Sequence, residues 1–353
     1  MSAVPAPETG PDAGAVWHYG DPFGEQRAAA NDAVVVDRSH RAALTLTGGD
    51  RKSWLHNIST QHVSDLPDGA VTENLSLDGQ GRVEDHWLQT QLDGLTVLDT
   101  EPSRGEPLLT YLQRMVFWSD VAVEAADLAV LSLLGPRLTD VAETLNVGPL
   151  PAELSAVALP DGGFLRRLHG VEMDLVVPRE QAAHWKKRLT DAGVRPAGVW
   201  AYEAHRVAAR RARLGVDTDE RTIPHEVGWI GSAVHLDKGC YRGQETVARV
   251  HNLGKPPRML VLLQLDGSAE RPSTGDPVLA AGRTVGRLGT VVDHVDEGPI
   301  ALALVKRGLP ADTELTTGGE QEVAAVIDVG SLPPPDVAGA GRRAVEQLRG
   351  GAR

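Results

Sequence analysis

The densest run of reactive side chains in the sequence is Lys238-Gly239-Cys240-Tyr241-Arg242-Gly243-Gln244-Glu245, followed by Arg249 and His251. It contains the only cysteine among 353 residues. A helix starting near Gln244 would turn its N-terminal N–H groups toward the thiol. Those groups, with the ammonium of Lys238, favour the thiolate, which is the nucleophilic form. The glycines permit a tight backbone path and close approach by a ligand. A lone cysteine is more often a small buried hydrophobe. The charged, glycine-flanked setting argues instead for an accessible, working thiol.

The elements that must position this run follow from the apolar pattern. Residues 33–37, 43–47 and 95–99 read as strands, and 51–58 as a helix capped by Asp50. Segments 71–77 and 83–92 form a predicted hairpin around Asp78-Gly79-Gln80-Gly81. Leu108, Leu109, Leu112 and Met115 recur at helical spacing within 102–115. A strand at 128–134 leads through Gly135-Pro136 into a helix ending near Leu145. Strands near 164–168 and 173–177 and a helix over 181–192 repeat the pattern, and 200–213 reads as a basic helix. Mixed strands and helices without strict alternation predict an α+β fold with antiparallel sheets. After Lys255-Pro256-Pro257, short strands at 259–265, 277–279, 284–292 and 300–305 predict a small β-barrel over 256–331. Residues 1–16 read as a disordered leader, 17–255 as the main region, and 332–353 as a linker with a basic tail.

Composition narrows the function classes. A net charge of −13 disfavours non-specific DNA binding. One cysteine excludes an intramolecular disulfide framework or a cysteine-rich metal cluster built by this chain alone. His225 and His235 match no metal-binding spacing, so no metal site is expected. There is no secretory signal pattern and no membrane-length apolar run, so a cytoplasmic location is the expectation.

The stretch from Lys238 to Arg249 resembles the YgfZ signature, K-G-C-Y-x-G-Q-E-x-x-x-R. YgfZ proteins are a branch of the glycine-cleavage T-protein (aminomethyltransferase) superfamily. They include factors needed to mature certain iron–sulfur enzymes. Supporting stretches lie in the same order along the chain: Leu44 to Val63; Leu77-Asp78-Gly79-Gln80-Gly81-Arg82-Val83; Ile223-Pro224-His225-Glu226 with Gly228-Trp229; and Gly275-Asp276-Pro277-Val278 with Gly286. The resemblance implies two intertwined α+β subdomains with antiparallel sheets and a C-terminal β-barrel, around a central channel that holds tetrahydrofolate or a related pterin. The catalytic T-proteins usually carry Asp or Phe where Cys240 stands.

Several site residues follow from the resemblance. Cys240 would be the working thiol and Lys238 its activator, while Tyr241, Gly243, Gln244, Glu245 and Arg249 shape the pocket. Tyr202 falls where a pterin-stacking tryptophan can stand; alternatively it is a half-buried helix residue. Asp85, beside Arg82, is nearest to the aspartate that attends the reacting folate nitrogen in T-proteins. Arg206, with Arg210, Arg211 and Arg213, could meet a folate glutamate tail or RNA phosphate, or form a solvated helix face. One departure stands out. The acid that holds the pterin in T-proteins corresponds to Ala208, and the glycine two residues later to Arg210. Three readings stay open: a folate-binding accessory protein for iron–sulfur enzymes or their assembly factors, a folate-dependent one-carbon transferase, and a non-catalytic scaffold.

Overall fold

The computed structural model describes residues 2–332 apart from 93, 254, 268, 269, 320 and 321, so the expected linker and tail beyond 332 lie outside the described residues. The chain divides into two compact units. One comprises Met1–Asn74 and Asp85–His205, the other Leu75–Glu84 and Arg206–Arg353.

The first unit is built on two sheets. One has the strand order Val71–Leu77, Val83–Leu92, Leu95–Thr100, Ala42–Thr47, Ala122–Ala126. The first two strands form the hairpin with the bounds expected from sequence, and its tip, Leu75–Glu84, is part of the second unit. Helices Arg51–Ile58 and Gly105–Arg114 bury Trp54, Leu55, Leu108 and Leu112 against Leu44, Leu46 and Leu98 of this sheet. The apolar spacing foretold that helix face. Asp50, however, makes no side-chain cap for its helix; its Oδ2 accepts the N–H of Asp120 instead.

The other sheet runs Ser155–Ala158, Phe164–Arg167, Glu172–Pro178, Leu128–Leu134, Val34–Asp37, Arg195–Ala197. Its pairs are antiparallel except Arg195–Ala197, which lies parallel to Val34–Asp37. Helices Leu138–Leu145 and Ala182–Asp191 cover one face with Leu138, Val141, Trp185 and Leu189.

The expected leader is ordered. Val4–Pro5 pairs with Val16–His18, Asp12 bonds His40, and Ala6 and Ala15 are buried with Val34 and Val36. Before Trp17 this segment gives only Ala6 and Ala15 to the cluster, small side chains that do not by themselves signal a core.

In the second unit a closed barrel links Arg258–Leu265, Gly298–Lys306, Arg283–His294, Pro277–Ala280, Leu315–Thr317 and Val323–Ile327. Alternation fills it: Val261, Leu263, Ala301, Ala303 and Val305 point inward and are essentially inaccessible. The last two strands were not foreseen. Leu315–Thr317 is only three residues long, and Val323–Ile327 is apolar throughout, so its buried–exposed alternation in the barrel has no apolar–polar counterpart in the sequence.

Candidate functional site

The cysteine loop stands on the hairpin tip, within the second unit. Asp78 shapes that tip: its Oδ1 accepts the N–H groups of Gln80 and Arg82, both at 2.8 Å. Two glycines then make the junction. Gly243 has φ +82°, and a Cβ there would lie 2.6 Å from the Asp78 carbonyl oxygen and 2.8 Å from Gly81 Cα. Gly81 has φ +79°, and its Cβ would lie 2.8 Å from Thr246 Cβ. Only residues without side chains let the two backbones meet this closely.

The helix begins at Gln244, where the sequence placed it, and runs to Leu253. Its first-turn N–H groups are taken up locally. Gln244 N–H donates to Tyr241 O, and Thr246 and Val247 N–H donate to Gly243 O. Gln244 Nε2 donates to the Lys238 carbonyl at 3.2 Å, closing the loop across the cysteine. The helix terminus therefore bonds its own loop rather than presenting all its donors to the thiol, contrary to the sequence expectation.

Tyr241 and Val247 anchor this segment in an apolar cluster with Leu75, Leu77, Val83 and Trp229. Burial pushes the Tyr241 phenol up to about 12. Lys238 is buried, with Nζ 5.3 Å from the centre of the Tyr241 ring, and burial pulls its ammonium down to about 8. Cys240 is exposed. Glu245 and Arg249 are exposed and Gln244 is half-buried. Arg242 pairs with Glu84 at 2.9 Å across the surface. Half-buried Arg82 closes the hairpin turn through its backbone, its carbonyl accepting the Asp78 N–H at 2.9 Å.

Other residues carried over from the family are engaged inside their units. Tyr202 lies on helix Val199–Ala208 and is buried; its hydroxyl donates to Glu172 Oε1 at 2.7 Å. The Arg38 guanidinium lies 3.7 Å from the ring centre and covers a face that pterin stacking would use. Arg38 continues a buried chain of polar contacts. It donates to Ser132 Oγ, which donates to Asp174, and Arg166 bridges Asp174 and Asp99 at 2.7 and 2.5 Å. Arg41 joins Asp99 to Glu101. Burial opposes the charge on Asp99, but Arg166 and Arg41 outweigh it and hold the carboxyl well below its usual range. Asp85 is buried and paired with Arg104 at 2.7 Å. None of these partners was foreseen, since sequence carries no signal for contacts between residues so far apart in the chain.

The basic helix expected over 200–213 ends at Ala208, and Arg210 adopts φ +57°. Arg206 is buried in the second unit, with Nη1 2.6 Å from Asp217 Oδ2 and Nη2 2.5 Å from Thr290 Oγ1. Arg213 is buried and Arg210 Nη1 donates to the Gly330 carbonyl. The four arginines therefore form no continuous solvated face, because this unit uses the guanidinium of Arg206 to tie the helix end to a barrel strand.

His225 sits 6.2 Å from His251, centre to centre, and neither of its buried ring nitrogens has a hydrogen-bond partner among the described residues. Burial, and then His251, pull its imidazole down to about 4. Among the described residues no group of three or more His, Cys, Asp or Glu is arranged to hold a metal ion, and no helix is long and apolar enough to cross a membrane.

No protein-family model matches the chain. A chloroplastic protein of Arabidopsis thaliana bearing the name of a transferase is 26% identical over 314 residues, 85% of this chain and 71% of that protein. An aminomethyltransferase of Nostoc sp. is 29% identical over 320 residues, 82% of this chain and 83% of that protein. The crystal structure of the glycine cleavage system aminomethyltransferase T from Bartonella henselae superposes with a TM-score of 0.84 at 18% identity, covering 96% of this chain and 95% of that one. The chain thus has the T-protein fold and is similar in sequence to aminomethyltransferases over most of its length.

Proposed function

We propose that this protein is a folate- or pterin-binding accessory factor of the YgfZ type. It would support assembly or repair of iron–sulfur enzymes, with Cys240 as its working group. The observation that carries this reading is the exposed thiol on a loop held by the Gly81–Gly243 junction and by Tyr241 burial. A residue kept only for packing would be buried there, as its neighbours Lys238 and Tyr241 are. The partners would be the iron–sulfur client enzymes or their assembly factors.

The folate class of ligand rests on the family resemblance and the similarity to aminomethyltransferases. The carried-over residues fit it incompletely. Tyr202, Asp85 and Arg206 are committed to Glu172, Arg104 and Asp217. Ala208, half-buried at the helix end, offers a methyl where T-proteins have an acceptor for pterin N–H groups. Arg210 supports that alignment: it takes the left-handed backbone where the family has glycine. No reaction step is therefore assigned to a bound folate.

Calorimetric titration with tetrahydrofolate tests this part. The natural protein should bind at least about tenfold more weakly than an aminomethyltransferase that keeps the acid, since a hydrogen bond to a charged group contributes roughly 1.5–3 kcal/mol. Ala208→Glu should recover part of the affinity. Tight binding with no gain in the variant would show that another residue supplies the acceptor. The one-carbon transferase reading is the alternative, favoured by the sequence similarity to aminomethyltransferases over most of the chain. It requires folate-dependent turnover by the purified protein.

A further inference from the structure

The loop between helix Gly105–Arg114 and strand Ala122–Ala126 turns two adjacent aromatic side chains into solvent. Trp118 is 100% exposed and Phe117 75% exposed. The other six tryptophans of the chain are buried or half-buried. The loop is braced at its base. Trp54 Nε1 donates to Met115 O at 2.7 Å, Gly49 N–H to Asp120 Oδ2 at 2.8 Å, and Asp120 N–H to Asp50 Oδ2 at 2.9 Å. Gly48 has φ +102°, and any Cβ on it would strike the Asp120 carbonyl oxygen at 2.0 Å. Within the loop, Ser119 N–H donates to Val116 O. Phe117 is held at φ +47°, a conformation that bulky side chains avoid. A braced loop that maintains backbone strain and holds two rings out of the core is a built projection, not a frayed end.

We propose that Phe117 and Trp118 form a docking knob for a different protein, one with an apolar cleft rimmed by lysine or arginine. Charge selects that partner. Exposed Asp50 and Asp120 lie at the base of the knob and exposed Glu124 on the following strand, against Arg114 at the end of the preceding helix and half-buried Arg51, whose Nη1 donates to the Gly48 carbonyl at 3.1 Å. The chain as a whole carries −13. A cationic rim would meet these carboxylates and could lie over the indole face. A second copy of this chain would bring the same acidic surface. Strand Ala122–Ala126 is also the margin of its sheet, and pairing two such strands antiparallel about their midpoints would set Glu124 against Glu124. An anionic membrane surface would repel the same charges. The inference is independent of Cys240 and of any folate.

The test places a photo-crosslinking p-benzoylphenylalanine at Phe117, which keeps the phenyl ring and extends it into solvent by a benzoyl group, in the whole chain expressed in its own host. The control carries it at Val326, also exposed. The proposal expects a protein other than this chain to crosslink from position 117 and not from 326. Once identified by mass spectrometry and purified, that protein should bind the natural chain and bind Trp118→Ser at least about tenfold more weakly, as for an aromatic anchor. Affinity should fall with added salt while the unfolding midpoint of the variant stays unchanged. Crosslinking no stronger than at 326, or a partner indifferent to Trp118→Ser, would overturn the proposal. So would a crosslinked dimer of this chain, or flotation with phosphatidylglycerol vesicles that depends on Trp118.

Discussion

The buried ion network of the first unit and the cysteine loop of the second put their polar side chains to opposite uses. In the first, Arg166, Asp99, Asp174 and Arg41 are buried or nearly so and satisfy one another through a continuous run of ion pairs and hydrogen bonds. In the second, the cysteine loop buries Lys238 and Tyr241 while leaving Cys240, Arg242, Glu245 and Arg249 at the surface. Residue types that suggest chemistry therefore mean different things in the two places. The first unit's charges are consumed by each other, since breaking up a buried ion set leaves a desolvated charge behind. The second unit's motif is held by its apolar members and its glycines, which leaves the thiol free to meet another molecule.

The largest expected effect breaks the first half of this comparison. Arg166→Met leaves Asp99 and Asp174 buried without their shared cation, so it should destabilise the protein by roughly 3–5 kcal/mol. Urea unfolding of the variant measures this. A loss under about 1 kcal/mol would mean that the charges are less desolvated than their burial indicates.

The second half is sharpened by paired glycine substitutions. Gly243→Ala places a methyl 2.6 Å from the Asp78 oxygen in a left-handed backbone, and should cost roughly 2–3 kcal/mol. Gly239→Ala meets no atom within 4 Å and should stay within about 0.5 kcal/mol. Equal effects in thermal unfolding would deny the junction its role in holding the loop.

A smaller effect depends on pH. His225 titrates at about 4 in the folded protein against an ordinary 6.5. Between those values the unfolded chain binds more protons, so stability falls as pH drops through that window. The contribution is on the order of 3 kcal/mol, at about 1.36 kcal/mol per unit. His225→Leu should therefore lose less stability than the natural protein between pH 7 and pH 4.5. Parallel stability curves would show that His225 accepts a proton freely.

The local elements were legible where short-range signals are strong. The Asp78–Gly81 turn fixed the hairpin at Val71–Leu77 and Val83–Leu92, and the apolar run 128–134 became a strand with those bounds. The helix start at Gln244 followed from the residues around it. What could not be read depends on tertiary context. The basic helix stops at Ala208 because Arg210 leaves the helical region, a choice that composition does not reveal. The ordering of residues 2–18 relies on alanines and a buried Asp12–His40 pair. At the candidate site the thiol's exposure was anticipated from its charged, glycine-rich flanks. The engagement of Tyr202 by Arg38 and Glu172 was not, since those partners lie 164 and 30 positions away.

The central claim is that Cys240 works on something outside the chain and does not hold the fold. It is tested most directly by returning Cys240→Ala, at equal protein level, to cells lacking the protein, and assaying their iron–sulfur enzymes. The alanine protein should have an unfolding free energy within about 0.5 kcal/mol of the natural protein's, as expected for an exposed side chain, and should fail to restore enzyme activity. Full restoration by the alanine protein would contradict it and leave the scaffold reading in its place.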